Sequence, residues 1–221
     1  MTERREEAPE APWEAAAGIS AVIGLQVLLA VVSRAKGWTL WFLPWWTWLV
    51  PTGAELALIA ALTWHRRRNP DFSAARRRAS LVLTALVGAA NALAVVALIG
   101  SITTSHEKSG GELLFKGIVV WATNVMAFGL LFWELDRGGP VSRNRAHRIP
   151  PDFHFPSEDE WATWRPHLLD YVYLAFTNSI AFSPTDAMPL TQRAKFLMLV
   201  GSATSAITVL LVAARAVNIL R

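Results

Sequence analysis

Four polar side chains stand alone inside long apolar runs: Gln26, Glu55, Asn91 and Asn124. A charge at mid-membrane depth costs roughly 2.5–3.5 kcal/mol on insertion scales, so Glu55 has to face protein or water. Two chemistries fit it. It is either a proton or cation carrier, with Gln26, Asn91 and Asn124 as partners at similar depth, or a carboxyl that holds two helices together. A second polar group interrupts the apolar stretch 168–191, where Thr177, Asn178, Ser183, Pro184, Thr185 and Asp186 fall close together. Hydroxyls, an amide and one carboxylate in such a place are suited to an ion or small solute that has left water.

Other chemistries have no residues to carry them. The chain has no Cys, which excludes disulfides, thiolate nucleophiles, iron–sulfur clusters and cysteine zinc sites. His147, His154 and His167 lie near Asp152, Glu158, Asp159 and Glu160, but at no spacing that a metal site prefers. There is no Gly-rich phosphate loop, no His-Glu zinc helix and no Gly-x-Ser-x-Gly elbow. No enzyme activity, metal or cofactor is expected.

The elements that position these residues are membrane helices. Of 221 residues 53% are hydrophobic and 17% charged, and the apolar residues come in unbroken blocks rather than at amphipathic spacing. The expected class is all-α, a polytopic bundle of five spans plus one short broken or re-entrant helix. Residues 1–12 read as a disordered acidic tail and not a signal peptide. Spans are expected at 13–33, 44–64, 79–101, 113–133 and 194–220, with Thr191 capping the last. Pro44 suits a first helical turn, whereas Pro51, seven residues further on, predicts a kink. Small residues four apart, namely Ala17, Ser20, Ala21 and Gly24, then Gly88 and Ala92, then Gly201 and Ser205, predict close helix contacts. The domain plan is therefore a tail at 1–12, a four-span bundle at 13–134, a connector at 135–167 and a final unit at 168–221.

Charge sets the expected orientation. Six Arg and one Asp crowd residues 65–78, which the positive-inside rule places in the cytoplasm, together with the polar connector. Loop 102–112 carries a single Lys, and Gly110 and Gly111 look like its turn. The net charge of +4 follows from these loops and gives no reason to expect nucleic acid. Eleven Trp, densest at Trp38, Trp41, Trp45, Trp46 and Trp48, suit an interfacial belt.

Residues 173–191, YLAFTNSIAFSPTDAMPLT, resemble the pore loop of the potassium-channel-like ion channel superfamily. Tyr173 and Phe176 fall at the pore-helix aromatics, Asp186 at the filter Asp and Pro189 at the Pro that follows. The resemblance implies that 194–220 is the pore-lining helix and 113–133 the outer one. Ser183, Pro184 and Thr185 stand where the filter has Gly, an aromatic residue and Gly, so a potassium-type carbonyl ring is not expected. The same segment, leading into a helix that carries Ala216, Val217 and Asn218, more closely resembles an uncharacterised family of bacterial multi-pass membrane proteins, which implies no activity.

The orientation rule starts segment 168–191 in the cytoplasm, whereas a potassium-channel loop enters from outside. Either the segment crosses as a sixth span, or it re-enters from the cytoplasm, or the charge rule fails. The leading expectation is an oligomeric, channel-like protein of the inner (plasma) membrane. Its partners would be the bilayer, further copies of the chain and an ion or small solute. The alternatives are a structural or accessory membrane protein and a proton- or cation-coupled transporter using Glu55.

Overall fold

The computed structural model describes residues 12–39, 41–68, 73–104, 109–143, 149–161, 164–181, 183 and 187–220. The expected tail lies almost wholly outside them. Six longer helices carry the architecture: α1 Pro12–Lys36, α2 Leu49–Arg68, α3 Ser73–Thr103, α4 Gly110–Leu135, α7 Leu168–Ile180 and α8 Gln192–Leu220. Two four-residue helices, α5 Pro140–Arg143 and α6 Ser157–Glu160, lie in the connector. The only strands among the described residues are β1 Phe153–His154 and β2 Met188–Pro189, paired antiparallel. The all-α expectation holds at this level.

Local sequence explains where the helices begin and end. Pro12 fits a first turn because its missing N–H has no intrahelical partner there. At the other end of α1, Gly37 takes φ +67 while the Trp38 N–H reaches Ser33 O at 2.8 Å and the Gly37 N–H reaches Arg34 O at 3.4 Å. That is a Schellman ending, which requires a left-handed residue that glycine adopts without strain. Arg34 and Lys36 in the last turn favour the negative end of the helix dipole.

The second helix corrects an expectation. The segment from Pro44 opens with a 3₁₀ turn, Trp45–Trp48, and α2 starts only at Leu49. Pro51 is therefore the third residue of α2, in the first turn, where its missing N–H costs no intrahelical hydrogen bond, and no kink is needed. Gly110 and Gly111 form no separate turn either, since they open α4. Thr191 does cap α8, accepting a 3.2 Å hydrogen bond from the Ala194 N–H.

Helix α4 is the centre, packed against α1, α3, α7 and α8. Its direction against α8 follows from paired contacts: Gly117 meets Val212, Phe128 meets Gly201, and Leu135 O accepts from Arg193. The two are antiparallel. The molecule has an Arg-rich end, where α2 finishes, α3 starts and α4 meets the start of α8. It has a Trp-rich end, where the Trp41 ring covers Gly100 of α3 and Lys116 of α4 donates to Thr39 O. One apolar core, with Phe132, Trp133, Phe153, Phe155, Tyr171 and Leu174, fills the Arg-rich half. A second, with Leu29, Trp48, Leu98, Leu113 and Val212, fills the Trp-rich half.

Four described helices are long and apolar enough to cross a membrane: Ala16–Lys36, Leu81–Thr103, Gly110–Gly138 and Gln192–Ile219. Helix α2 has 20 residues, about 30 Å, and packs on α1 and α3. Glu55 and the basic residues 65–68 keep its mean hydropathy below that of the other four. The small residues expected to make close contacts divide. A Cβ at Gly201 would press on the Phe128 ring at 3.2 Å, whereas one at Gly24 or Gly88 would meet nothing within 4 Å.

Candidate functional site

The broken segment is a half-length helix followed by a return. His167 and Asp170 form a capping box at the start of α7, with the His167 N–H donating to Asp170 Oδ2 at 2.7 Å. Val172 then packs against Gly129, where a Cβ would come within 2.9 Å of its Cα, and Phe176 meets Trp121 with ring centroids 5.8 Å apart. Those contacts run backwards along α4, so α7 enters the bundle from the Arg-rich end. Its 13 residues reach about 20 Å, short of a crossing.

The chain then comes back to the same end. Met188–Pro189 pair with Phe153–His154, and the Leu190 N–H donates to Asp152 O at 2.8 Å. The segment therefore enters and leaves at one end of the bundle, the end where α2 finishes and α3 starts.

Segment residues take different places. Thr177 is buried and donates to Leu174 O at 3.1 Å. Asn178 is buried, donates from Nδ2 to Met198 O at 2.9 Å, and receives at its own carbonyl the Ser202 hydroxyl at 2.8 Å. These two residues therefore tie α7 to itself and to α8. Ser183 is exposed, as are Tyr173, Phe176 and Ile180 on the outer face of α7. Pro184, Thr185 and Asp186 lie outside the described residues.

A polar lock that the sequence did not reveal closes the Arg-rich end. After α4, a 3₁₀ turn at Asp136–Gly138 puts Arg137 at φ 52, and Gly139 at φ 91 packs so tightly that a Cβ would lie 2.7 Å from Glu134 O. The turn buries Asp136 completely. Its Oδ1 accepts from the N–H groups of Asp152 at 2.7 Å and Phe153 at 3.3 Å, and its Oδ2 from the Tyr171 hydroxyl at 2.6 Å. Arg143 donates to Trp133 O at 2.7 Å and to Tyr171 at 3.2 Å, with its guanidinium over both rings. Asp152 binds Arg193 through both oxygens and accepts from Thr191. The connector, read from sequence as polar, thus sends Phe153 and Phe155 into the core and pins both ends of segment 168–191.

The histidines have local roles. His154 lies 3.0 Å from Asp159, and His167 caps α7. His147 lies outside the described residues.

The four polar residues that stand alone in apolar runs form two separate groups. Asn91 Nδ2 donates to Asn124 Oδ1 at 2.8 Å, and Asn124 Nδ2 donates to Ser205 at 2.9 Å, joining α3, α4 and α8. Gln26 Nε2 donates to Glu55 Oε1 at 3.0 Å, while the Thr52 hydroxyl donates to Gln26 Oε1. Glu55 is completely buried and its Oε2 has no partner. Of the three residues named as partners for Glu55, Gln26 reaches it, while Asn91 and Asn124 pair with each other. At the Trp-rich end sits a buried cation the sequence reading passed over, Lys116, bonded to Glu112 and Thr39 O. The spacing of four between Glu112 and Lys116 was its signal.

No family model, curated protein or solved structure matches this chain.

Proposed function

We propose that the chain is a five-span protein of the inner membrane, α2 being the fifth span, that assembles into an oligomeric, channel-like structure around residues 168–191. One observation carries this reading: a half-length helix enters the bundle and the chain leaves at the same end, pinned on both sides by Asp152 and Asp136. Irregular backbone at membrane depth is tolerated where protein buries it or where it lines a water-filled cavity. The resemblance to a pore loop and to bacterial multi-pass proteins belongs to the same proposal. In an oligomer the exposed Tyr173, Phe176, Ile180 and Ser183 would meet neighbouring copies and the pathway. Thr177 and Asn178 would support that segment from behind. The missing filter glycines argue for a pathway without potassium selectivity.

Purified protein in liposomes tests this with dye-reported fluxes of monovalent cations and anions. Conduction above empty vesicles, weakened by Ser183→Trp, is the expected result. Flux equal to that of empty vesicles for every ion would leave the second reading, a structural or accessory membrane protein. That reading is supported by the way Asn91, Asn124, Thr177 and Asn178 all find partners inside the bundle.

A further inference from the structure

Glu55 differs from Asp136 and Asp152, the other buried carboxyl groups described above, in having one oxygen with no partner among the described residues. On α2 it is the sole titratable residue from 49 to 64. The elements packed against α2 offer no charge at that depth: none between 15 and 33 on α1, none in the 3₁₀ turn Trp45–Trp48, and none between 81 and 103 on α3. Across the bundle, α4 has none between 117 and 133. The charges on these elements sit towards their ends, as with Arg34, which lies over Trp45.

The local hydrogen bonds fix how the carboxyl is held. Thr52 donates to Gln26 Oε1, so the Gln26 amide must turn its N–H towards Glu55, where Oε1 accepts it. The remaining oxygen, Oε2, is buried with no partner. An ionised carboxylate there would have one hydrogen bond and no cation to offset the loss of its water. A neutral acid would leave one O–H unmet, which costs less than an unpaired buried charge. The neutral form is the cheaper one.

We infer that Glu55, with Gln26 and Thr52, is a proton-binding site inside the membrane bundle, which holds one proton on Oε2 and releases it to water. The site does not depend on conduction through the re-entrant segment, and each idea can fail without the other. Gln26, though not Glu55 itself, lines a cavity of about 20 Å³ between α1, α2, α3 and α4, with Trp48 and Thr123 in its wall. That is room for a single water. On release the O–H bond of the acid breaks, the electron pair stays on the carboxylate, and a water that reaches Oε2 carries the proton away as hydronium. The charge left behind strengthens the Gln26 bond, since hydrogen bonds to an ionised acceptor are roughly twice as strong as neutral ones.

Infrared difference spectra of the full chain in lipid, recorded from about pH 5 to about pH 9, read the site directly. The expected result is a carboxylic-acid C=O band that fades reversibly as pH rises and is absent from Glu55→Gln. Gln26→Leu removes the only hydrogen bond to the carboxyl and should move that band to higher frequency; it carries the test if Glu55→Gln does not fold. A spectrum with no band attributable to Glu55 overturns the inference. So does a Glu55 band that stays the same at every pH, which would mark a permanently protonated structural residue.

Discussion

The Arg-rich end and the middle of the bundle both bury carboxyl groups, but they treat them in opposite ways. At the end, Asp136 has both oxygens occupied by two backbone N–H groups and a tyrosine hydroxyl, and Asp152 meets an arginine through both of its own. In the middle, Glu55 has one amide N–H and nothing else. Removing a member of a satisfied buried network strands its partners, whereas removing a half-satisfied group strands little. Stability should therefore depend on Asp136 and hardly on Glu55.

Four substitutions can break or sharpen that contrast. Asp136→Ala has the largest expected effect, because it leaves the Tyr171 hydroxyl and two backbone N–H groups without their acceptor. It should lower unfolding free energy by about 3–5 kcal/mol, seen as a fall in thermal midpoint in detergent. Gly129→Ala comes next. Its methyl would sit 2.9 Å from Val172 Cα, so α7 must shift, at about 1–3 kcal/mol and with faster proteolysis after α7. Asn124→Leu should cost about 1–2 kcal/mol, because Asn91 and Ser205 lose their shared partner. A double-mutant cycle with Asn91→Leu would give the coupling between them. Glu55→Gln should be the mildest, within about 1 kcal/mol of the parent, because a neutral amide replaces a neutral acid of the same shape. A loss at Glu55 as large as that at Asp136 would erase the distinction between the two regions.

How much could be read beforehand follows the same line. Residues 113–133 and 194–220 appear as spans because apolar runs of that length have few other uses, and α4 and α8 extend them by only a few residues. Glu55 with Gln26 was legible as a pairing of rare polar residues at equal depth. The end lock was not, because Tyr171 meets Asp136 across 35 positions and Arg193 meets Asp152 across 41, in stretches that look like ordinary polar loop. Pro51 was misread for another reason. The start of α2 is set by the 3₁₀ turn of Trp45–Trp48, and local propensity does not choose between a start at Pro44 and one at Leu49. Small residues four apart were ambiguous for a third: Gly24 and Gly88 face outwards, while Gly117 and Gly129, which do make close contacts, have no small partner at that spacing.

The proposed re-entry of residues 168–191 rests on the return of the chain to the end where α7 begins, and side-specific labelling of single cysteines tests it most directly. The chain has no Cys, so Glu160→Cys, Leu190→Cys and Asn218→Cys each introduce one reporter. In sealed, oriented vesicles, Glu160→Cys and Leu190→Cys should react with an impermeant maleimide from the same side, and Asn218→Cys from the other. If Leu190→Cys reacts from the side opposite to Glu160→Cys, the segment crosses the membrane and the re-entrant account is wrong.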